Sequence, residues 1–506
     1  MATMDQTRGY VAEEEYTSDY HHVYTPAFLD YVALLNGVEP PVREPGKFRF
    51  CDLGCGFGMT ALTLAATNPQ AEIHGIDFMP EHVNMSKRVA AEAGLANAHF
   101  HALSFAQCLD KDLPMFDYIV AHGVYSWVDA NVRTEVVEFI RRFLAPGGIA
   151  YISYNAMPGH AQTAPVQRLV SHFGKSGVGE SSARVLKAFD FVKQLHGLNA
   201  PSLVDKPAVD MLLHSVTRED PRYLAHEYLH SAWEPRFSID VAAEMARADL
   251  TFVGTATLFA TDERFTVGPQ QKTLLDSLST RGEREFVKDF LLDVNFRRDV
   301  FSRRGKALSS AQREAELRKR AFALCVTPDT VKFNCQVGLA VVDFESQPAH
   351  QIINALAQSA KTVGEIVSAW DMVQVPFDIV YDVLLILAIS EQITPVERTS
   401  GGVTRFNEVV RANAYCSNAL ASPLGLGIAL SLPEMMLAAG APSSSDPDGL
   451  ATWLVSEYAR VGKPIVDANH QPLSAADAHT YLRNAASEYL RRRRGALQKL
   501  GVVAAG

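Results

Sequence analysis

The sequence predicts an α/β fold: a largely parallel sheet wound with helices, interrupted by a helical insertion and followed by mostly α domains. Three observations carry this. An apolar strand, residues 48–53, runs into the turn Gly54-Cys55-Gly56-Phe57-Gly58 and then into an Ala- and Leu-rich helix from Met59 to Thr67. Strand-like and helix-like segments then alternate to residue 154, as parallel strands require, because each needs a crossover connection. Beyond residue 156 the alternation stops, and helical patterns bounded by Gly174, Gly177 and Pro201 take over.

The second strand, Ala71 to Ile76, ends in Asp77, about 20 residues beyond the glycines, where a carboxylate at a strand's C-terminal edge can accept both hydroxyls of a ribose. His99 to Leu103 reads as a third strand, followed by Ser104-Phe105 where an adenine edge would lie. Phe116 to Ala121 is a fourth. A helix over 130–143 leads through Leu144-Ala145-Pro146-Gly147-Gly148 into a fifth, Ile149 to Tyr154. This spacing fits a nucleoside cofactor lying across the strand ends. A dinucleotide site has G-x-G-x-x-G, so that a pyrophosphate sits on a helix N-terminus. Here Asp52 stands in front of Gly54, Gly56 and Gly58. Its charge would repel a pyrophosphate but can hold an ammonium, which S-adenosylmethionine carries on its methionine part.

The run Asp52-Leu53-Gly54-Cys55-Gly56-Phe57-Gly58, with Gly75-Ile76-Asp77, Phe116-Asp117-Tyr118-Ile119 and Leu144-Ala145-Pro146-Gly147-Gly148, resembles the successive motifs of the Rossmann-like S-adenosylmethionine-dependent methyltransferases. The resemblance implies that Gly54, Gly56 and Gly58 approach the methionine part of S-adenosyl-L-methionine, Asp77 the ribose, and Phe78 and Phe105 the adenine faces. Ser104 stands where that family often has an acidic residue. Tyr24 and His122 complete the expected cofactor-binding set.

Residues 1–155 are thus expected to form the methyltransferase core. Such a sheet ordinarily ends in a helix and an antiparallel strand pair, which are read at Ile239 to Leu250, Thr251 to Leu258 and Arg264 to Gly268, so 237–270 is expected to end the sheet. Residues 156–236 then form a helical insertion, suited to covering a site or to pairing two subunits in a homodimer. A second resemblance covers nearly the whole chain. The segments 218–229 and 289–301, the lead-in Tyr16-x3-Tyr20-x3-Tyr24-Thr25-Pro26, Tyr154-Asn155-Ala156-Met157-Pro158-Gly159 and the closing Leu500-Gly501-Val502 are similar to bacterial methyltransferases with a methyltransferase regulatory domain. The best-understood members of that group are protein-lysine methyltransferases acting on bacterial outer-membrane proteins. The resemblance implies a protein substrate offering lysine side chains.

Downstream, 271–354 is expected to be a helical regulatory region and 409–506 a C-terminal helical region. Residues 355–408 look like a winged helix: Thr362-x-x-Glu365 makes a capping box, Pro376 opens helix 376–390, and Ile393 to Phe406 would be the wing. The helix that would read DNA carries Asp378 and Asp382 and no Lys or Arg, so it cannot neutralise phosphates. An interaction module is expected, with no nucleic-acid partner. The basic stretches Arg313 to Arg320 and Arg491 to Arg494 read as solvated helix faces.

Composition agrees. Residues 1–160 hold 19 of the 57 acidic side chains but only 10 of the 47 basic ones, a surface that repels nucleic-acid backbones and favours cations. With 47% hydrophobic and 21% charged residues the chain is an ordinary globular protein rather than a disordered or fibrous one. The scattered cysteines suggest a reducing compartment. No apolar stretch precedes Tyr20, and the uncharged run from Ala412 to Pro433 is broken by Pro423, Gly425 and Gly427, so neither a signal peptide nor a transmembrane segment is expected and the expected location is cytoplasmic.

His226-Glu227-Tyr228-Leu229-His230 matches the H-E-x-x-H zinc pattern, whose histidines lie one turn apart. It belongs to the regulatory-domain segment, and only the loosely spaced Glu244 offers a third ligand; no metal is expected there. Methyl transfer is an in-line displacement at the sulfonium carbon, so an enzyme chiefly aligns an unprotonated nucleophile and keeps water out. The residues placed for this follow strands four and five: Tyr125, Trp127, Tyr154 and Asn155 are the expected catalytic set. Tyr16, Tyr20 and Tyr24, spaced by four, would line one face of a lid helix. Nothing resembles the Asn-Pro-Pro-aromatic turn that follows strand four in amide and adenine methyltransferases. Protein-lysine methylation leads, a small-molecule or glycan methyltransferase with the same cofactor domain is the alternative, and a non-catalytic scaffold retaining the fold is the third reading.

Overall fold

The computed structural model describes residues 19–230, 232–338, 340–369, 375–397, 402–467 and 471–503. Its centre is a seven-stranded sheet built from β1 (Arg49–Leu53), β2 (Glu72–Asp77), β3 (Ala98–Ala102), β4 (Phe116–Ala121), β5 (Leu144–Asn155), β6 (Leu250–Thr255) and β7 (Phe296–Arg303), in the order β3-β2-β1-β4-β5-β7-β6. The first five strands run parallel, and β7 lies antiparallel between β5 and β6. Strands β1, β4 and β5 are buried along nearly their whole length, as strands covered on both faces must be.

Alternation along each strand sends side chains to two cores. Phe50, Tyr118, Val120 and Tyr151 face α1 (Pro26–Leu35), α2 (Met59–Thr67) and α3 (Pro80–Ala93), while Cys51, Leu53, Ile119 and Ile152 face the layer of α4 (Phe105–Leu109), α5 (Ala130–Phe143) and a later helix over Ser238–Ala246. Between β5 and that helix come α6 (Ala164–Ser176), α7 (Ser181–Gly197), α8 (Pro207–Ser215) and α9 (Pro221–Tyr228). They close around a core of their own, which includes Val170, Phe189 and Leu224.

One sheet expectation is corrected. The partner of β6 is not Arg264 to Gly268: Glu263–Phe265 is a single 3-10 turn capped by Asp262, and a helix starts at Pro269. The seventh strand is Phe296–Arg303, so the sheet ends well beyond residue 270, inside the region expected to be helical. Its charged residues hid it from a hydropathy reading. Arg297 and Asp299 are almost wholly buried, and the Arg297 guanidinium donates to Asp299 Oδ1 at 2.8 Å, to Glu285 Oε2 at 3.1 Å and to Asp289. Charges enter a sheet interior when they are paired in this way.

The downstream half packs on the α1 to α3 face, so α1 is buried on nearly every side. A three-stranded sheet places Ala321–Leu324 between Lys361–Thr362 and Ile393–Val396, with helices at Gln347–Gln358, Val363–Ser368 and Phe377–Ile389. The capping box at Thr362 and a helix close to the expected 376–390 are present, but the central strand of this sheet comes from upstream of residue 355. Ile393–Val396 is the strand part of the expected wing, Thr404 to Phe406 begin the helix Thr404–Ala412, and residues 398–401 lie outside the described residues. Asp382, on the would-be recognition helix, accepts two hydrogen bonds from Arg264, at 3.0 and 2.7 Å.

Polar ties join the halves. Arg43 donates to Tyr118 Oη at 2.9 Å, to Asp30 Oδ2 at 3.2 Å and to both carboxylate oxygens of Glu397. Asp30 also accepts from Arg320 at 2.9 Å. No helix of the described residues is long and apolar enough to cross a membrane.

Candidate active site

The turn after β1 takes a shape that glycines permit: Gly54, Gly56 and Gly58 have φ of +74°, +54° and +68°. The N–H groups of Gly54 and Cys55 both donate to the Ile76 carbonyl, at 2.8 and 3.0 Å, which seats the turn on β2. A Cβ on Gly54 would lie 2.5 Å from Val124 Cγ2, and one on Gly58 2.6 Å from Phe100 Cε1. A Cβ on Gly56 would meet nothing within 4 Å, so that backbone faces open space.

Asp77 ends β2 with both oxygens engaged: Gly56 N–H donates to Oδ2 at 2.9 Å and Met79 N–H to Oδ1 at 2.8 Å. Each oxygen keeps a second acceptor site, which suits a vicinal diol. Asp52 is 3% exposed; burial, and then the negative charge of Asp77, push its carboxyl up to about 7. Two acidic side chains facing one open turn form a donor set for the cationic methionine part and the ribose of S-adenosylmethionine. The residues present therefore fit that cofactor.

The remaining cofactor expectations are placed as follows. Phe78 is 38% exposed beside Asp77. Ser104 caps α4, accepting from Gln107 N–H at 3.3 Å while its own N–H donates to Gln107 Oε1 at 2.9 Å, so its hydroxyl serves the helix start. Phe105, next to it, packs half-buried on the second core. Tyr24 lies in the 3-10 turn His22–Tyr24, and its hydroxyl donates to Thr60 Oγ1 at 3.1 Å on the first turn of α2. His122, just past β4, shares a hydrogen bond between Nδ1 and Tyr151 Oη at 3.0 Å.

These last two meet. The ring centroids of Tyr24 and His122 are 5.3 Å apart, and those of Tyr24 and Tyr151 are also 5.3 Å apart. His21 lies 4.3 Å from His122, and Phe296 6.2 Å from it, with the Arg298 guanidinium 5.3 Å from the Phe296 ring. Burial first, then the charges of His21 and Arg298, hold His122 well below the ordinary imidazole range, so it is neutral at physiological pH. His21, Phe296 and Arg298 were not singled out as site residues from sequence. Their signal was position alone: His21 lies in the tyrosine lead-in, and the other two at the start of the unrecognised β7.

The catalytic set divides. Trp127 is half-buried in the turn after β4, its backbone N–H donating to Val124 O at 2.9 Å. Asn155 is 6% exposed and held through its backbone, to Ser126 Oγ at 2.8 Å and from Arg236 N–H at 2.8 Å. Tyr125 and Tyr154 are fully buried: the Tyr125 hydroxyl donates to Glu244, and the Tyr154 hydroxyl to Asp299 Oδ2 at 2.5 Å. Both phenols are thus engaged by carboxylates within the second core and are not presented to solvent. The lid helix is also corrected. Tyr16 lies outside the described residues. Tyr20 sits in irregular chain, buried, with its hydroxyl accepting from Gly427 N–H at 3.0 Å.

In the H-E-x-x-H segment both histidines are buried, and burial pushes the Glu227 carboxyl up to about 7. Glu244 turns to Tyr125 and to Arg236, 2.6 Å away, so it is not a third ligand.

Two family profiles match the chain: a methyltransferase domain over residues 46–176 and a predicted methyltransferase regulatory domain over residues 220–303. Along the whole length, the chain is 31% identical over 511 residues to the protein sll1526 of a Synechocystis species, covering 99% of this chain and 100% of the relative. A shorter match, 35% identical over 157 residues, joins 31% of this chain to 61% of RP028 of Rickettsia prowazekii. Among solved structures, PKMT2 from Rickettsia typhi in complex with AdoHcy superposes with a TM-score of 0.67, covering 94% of this chain and 98% of that one, at 17% identity. The whole architecture is thus shared, downstream half included.

Proposed function

We infer a function from the premise that this chain belongs to the S-adenosylmethionine-dependent methyltransferases carrying a methyltransferase regulatory domain: transfer of methyl groups to lysine side chains of a protein. The observation that carries the lysine reading is the cluster of His21, Tyr24, His122, Tyr151 and Phe296, buried or half-buried, with Arg298 as its positive charge, beside the glycine turn. A lysine amine must lose its proton before it can attack. Burial and the positive charges that hold His21 and His122 neutral would lower a lysine's pKa in the same way.

When bound, S-adenosylmethionine supplies an electrophilic methyl on a sulfonium. Asp52, the glycine turn and Asp77 would hold it, and the aromatic walls would keep water from the nucleophile. In the tautomer whose Nδ1–H donates to Tyr151 Oη, Nε2 of neutral His122 is an acceptor that would orient an amine already free of its proton. The fold shared with PKMT2, a protein lysine methyltransferase, supports the same reading.

The test is transfer of labelled methyl groups to proteins of a lysate, followed by proteolysis and mass spectrometry. Methyl-lysine in the digest is expected, at a rate that rises with pH toward the amine's own pKa. Label on a sugar hydroxyl, a carboxylate or a small molecule overturns the lysine assignment and leaves the methyltransferase assignment standing.

A further inference from the structure

The two strands at the β3 edge of the sheet carry Glu72-Ile73-His74 and His99-Phe100-His101. Polar residues at every second position share one face of a strand, and the register sets His74 opposite His99 and Ile76 opposite His101. All four polar side chains therefore stand on the same face, the one that carries Phe116, while Ile73 and Phe100 point into the other core. One ligand atom each from Glu72, His74 and His99 lies within 4.8 Å of the other two. Glu72 Oε1 and His74 Nε2 are 3.2 Å apart, and the ring centroids of His74 and His99 are 4.9 Å apart.

We propose that Glu72, His74 and His99 form a binding site for a divalent transition-metal cation of the Zn2+ class, which joins β2 to the edge strand β3. Two imidazoles and one carboxylate are a donor set that Zn2+ accepts, with Zn–N and Zn–O distances near 2.0–2.2 Å, so ligand atoms of a tetrahedral site sit about 3.3 Å from one another. Glu72 and His74 already have that spacing, and His99 closes the set by a side-chain rotation. The surroundings are arranged as an outer shell. Arg49 Nε donates to the other Glu72 oxygen, Oε2, at 2.9 Å, which leaves Oε1 toward the site. His101 Nε2 lies 3.2 Å from His74 Nδ1, so His101 is the partner that fixes the His74 ring with its Nε2 directed at the cation. Phe116 packs edge-on against His74, 5.2 Å between centroids, and closes the inner side.

The site is separate from the cofactor turn. His74 precedes Asp77 by three residues on the same strand, roughly 10 Å at the usual rise. Its role is to brace the strand that delivers Asp77, and it takes no part in the transfer.

The experiment uses the full-length protein, stripped with a chelator and titrated with Zn2+ by calorimetry and with Co2+ by visible absorption. The expected result is one ion per chain, with the intense bands of tetrahedral cobalt. Affinity should fall more than tenfold in Glu72→Gln and in His99→Gln, and about ten- to hundredfold in His101→Gln, which acts through His74. A His226→Gln/His230→Gln double variant should bind like the parent. His99 lies on the edge strand, and circular dichroism of His99→Gln verifies its fold; if His74→Gln fails to fold, Glu72→Gln and His99→Gln decide. Absence of stoichiometric binding in the parent, undiminished binding in His99→Gln, or a loss that follows His226 and His230 instead each overturns the proposal.

Discussion

The backbone N–H of Gly56 donates to Oδ2 of Asp77 across 2.9 Å, so the glycine turn after β1 and the end of β2 are joined by the carboxylate proposed to hold the cofactor's ribose. The turn and the acidic residue are not two independent contacts. The shape of one fixes the orientation of the other before any ligand arrives, and a substitution in either is felt by both.

Asp77→Ala removes two acceptors for the ribose and leaves the Gly56 and Met79 N–H groups without their partner. A hydrogen bond to a charged group contributes about 1.5–3 kcal/mol, so S-adenosylhomocysteine should bind roughly ten- to hundredfold more weakly by calorimetry. An unchanged dissociation constant would remove Asp77 from the site.

Gly56→Ala separates folding from binding. The added methyl meets nothing within 4 Å, so the only folding cost is that of the left-handed backbone, about 1–2 kcal/mol. The protein should remain folded by circular dichroism while losing cofactor affinity, because the methyl occupies the space where the ligand approaches the turn. Parental affinity in a folded Gly56→Ala protein would place the cofactor elsewhere.

Asp52 sets a pH dependence. Its carboxyl ordinarily ionises at 3.8, and in the native site burial and Asp77 raise this to about 7. Between those values the native state holds a proton that the unfolded chain has released, so this group's contribution to stability falls as pH rises from about 4 to 7. Cofactor binding favours the ionised form. Affinity should therefore climb with pH, by up to about tenfold per unit below pH 7, and flatten above it. Calorimetry at several pH values checks this, and Asp52→Asn should abolish the slope. An identical slope in Asp52→Asn assigns the proton to another group.

Arg297→Met leaves Asp289 and Asp299 without their cation, while Glu285 keeps Lys288 at 2.6 Å, and breaking a buried ion pair in this way costs about 3–5 kcal/mol. Tyr154→Phe removes one hydrogen bond from the same cluster and should cost about 1–3 kcal/mol in denaturant unfolding, with cofactor affinity unchanged. A Tyr154→Phe protein of parental stability but lost turnover would return Tyr154 to the catalytic role the sequence suggested.

Much of the sheet could be read from residues alone because its signals are local. A strand, a glycine turn and a helix lie within twenty residues of one another, and Asp77 follows at the spacing one crossover imposes. The Arg298 and Phe296 corner was not legible for the reason β7 was not: its charged residues become acceptable in a sheet interior only when Glu285 and Asp289, on a preceding helix, and Tyr154, on β5, arrive to pair with them. A cut after Pro269, which a sequence reading places beyond the sheet, in fact removes the strand that joins β5 to β6.

By itself the sequence determined the cofactor half of this protein: the glycine turn, the acidic residues at the ends of β1 and β2, the helical insertion and the regulatory-domain segments. Only the tertiary structure decided which side chains meet one another. It buried the phenols of Tyr125 and Tyr154 in the second core, brought His21 and Phe296 to His122, and set His74 beside His99. The identity of the first five strands depends on residues adjacent in the chain, whereas that of β7 and the partners of a side chain depend on register and on which distant segment packs against it. No local pattern encodes those two quantities.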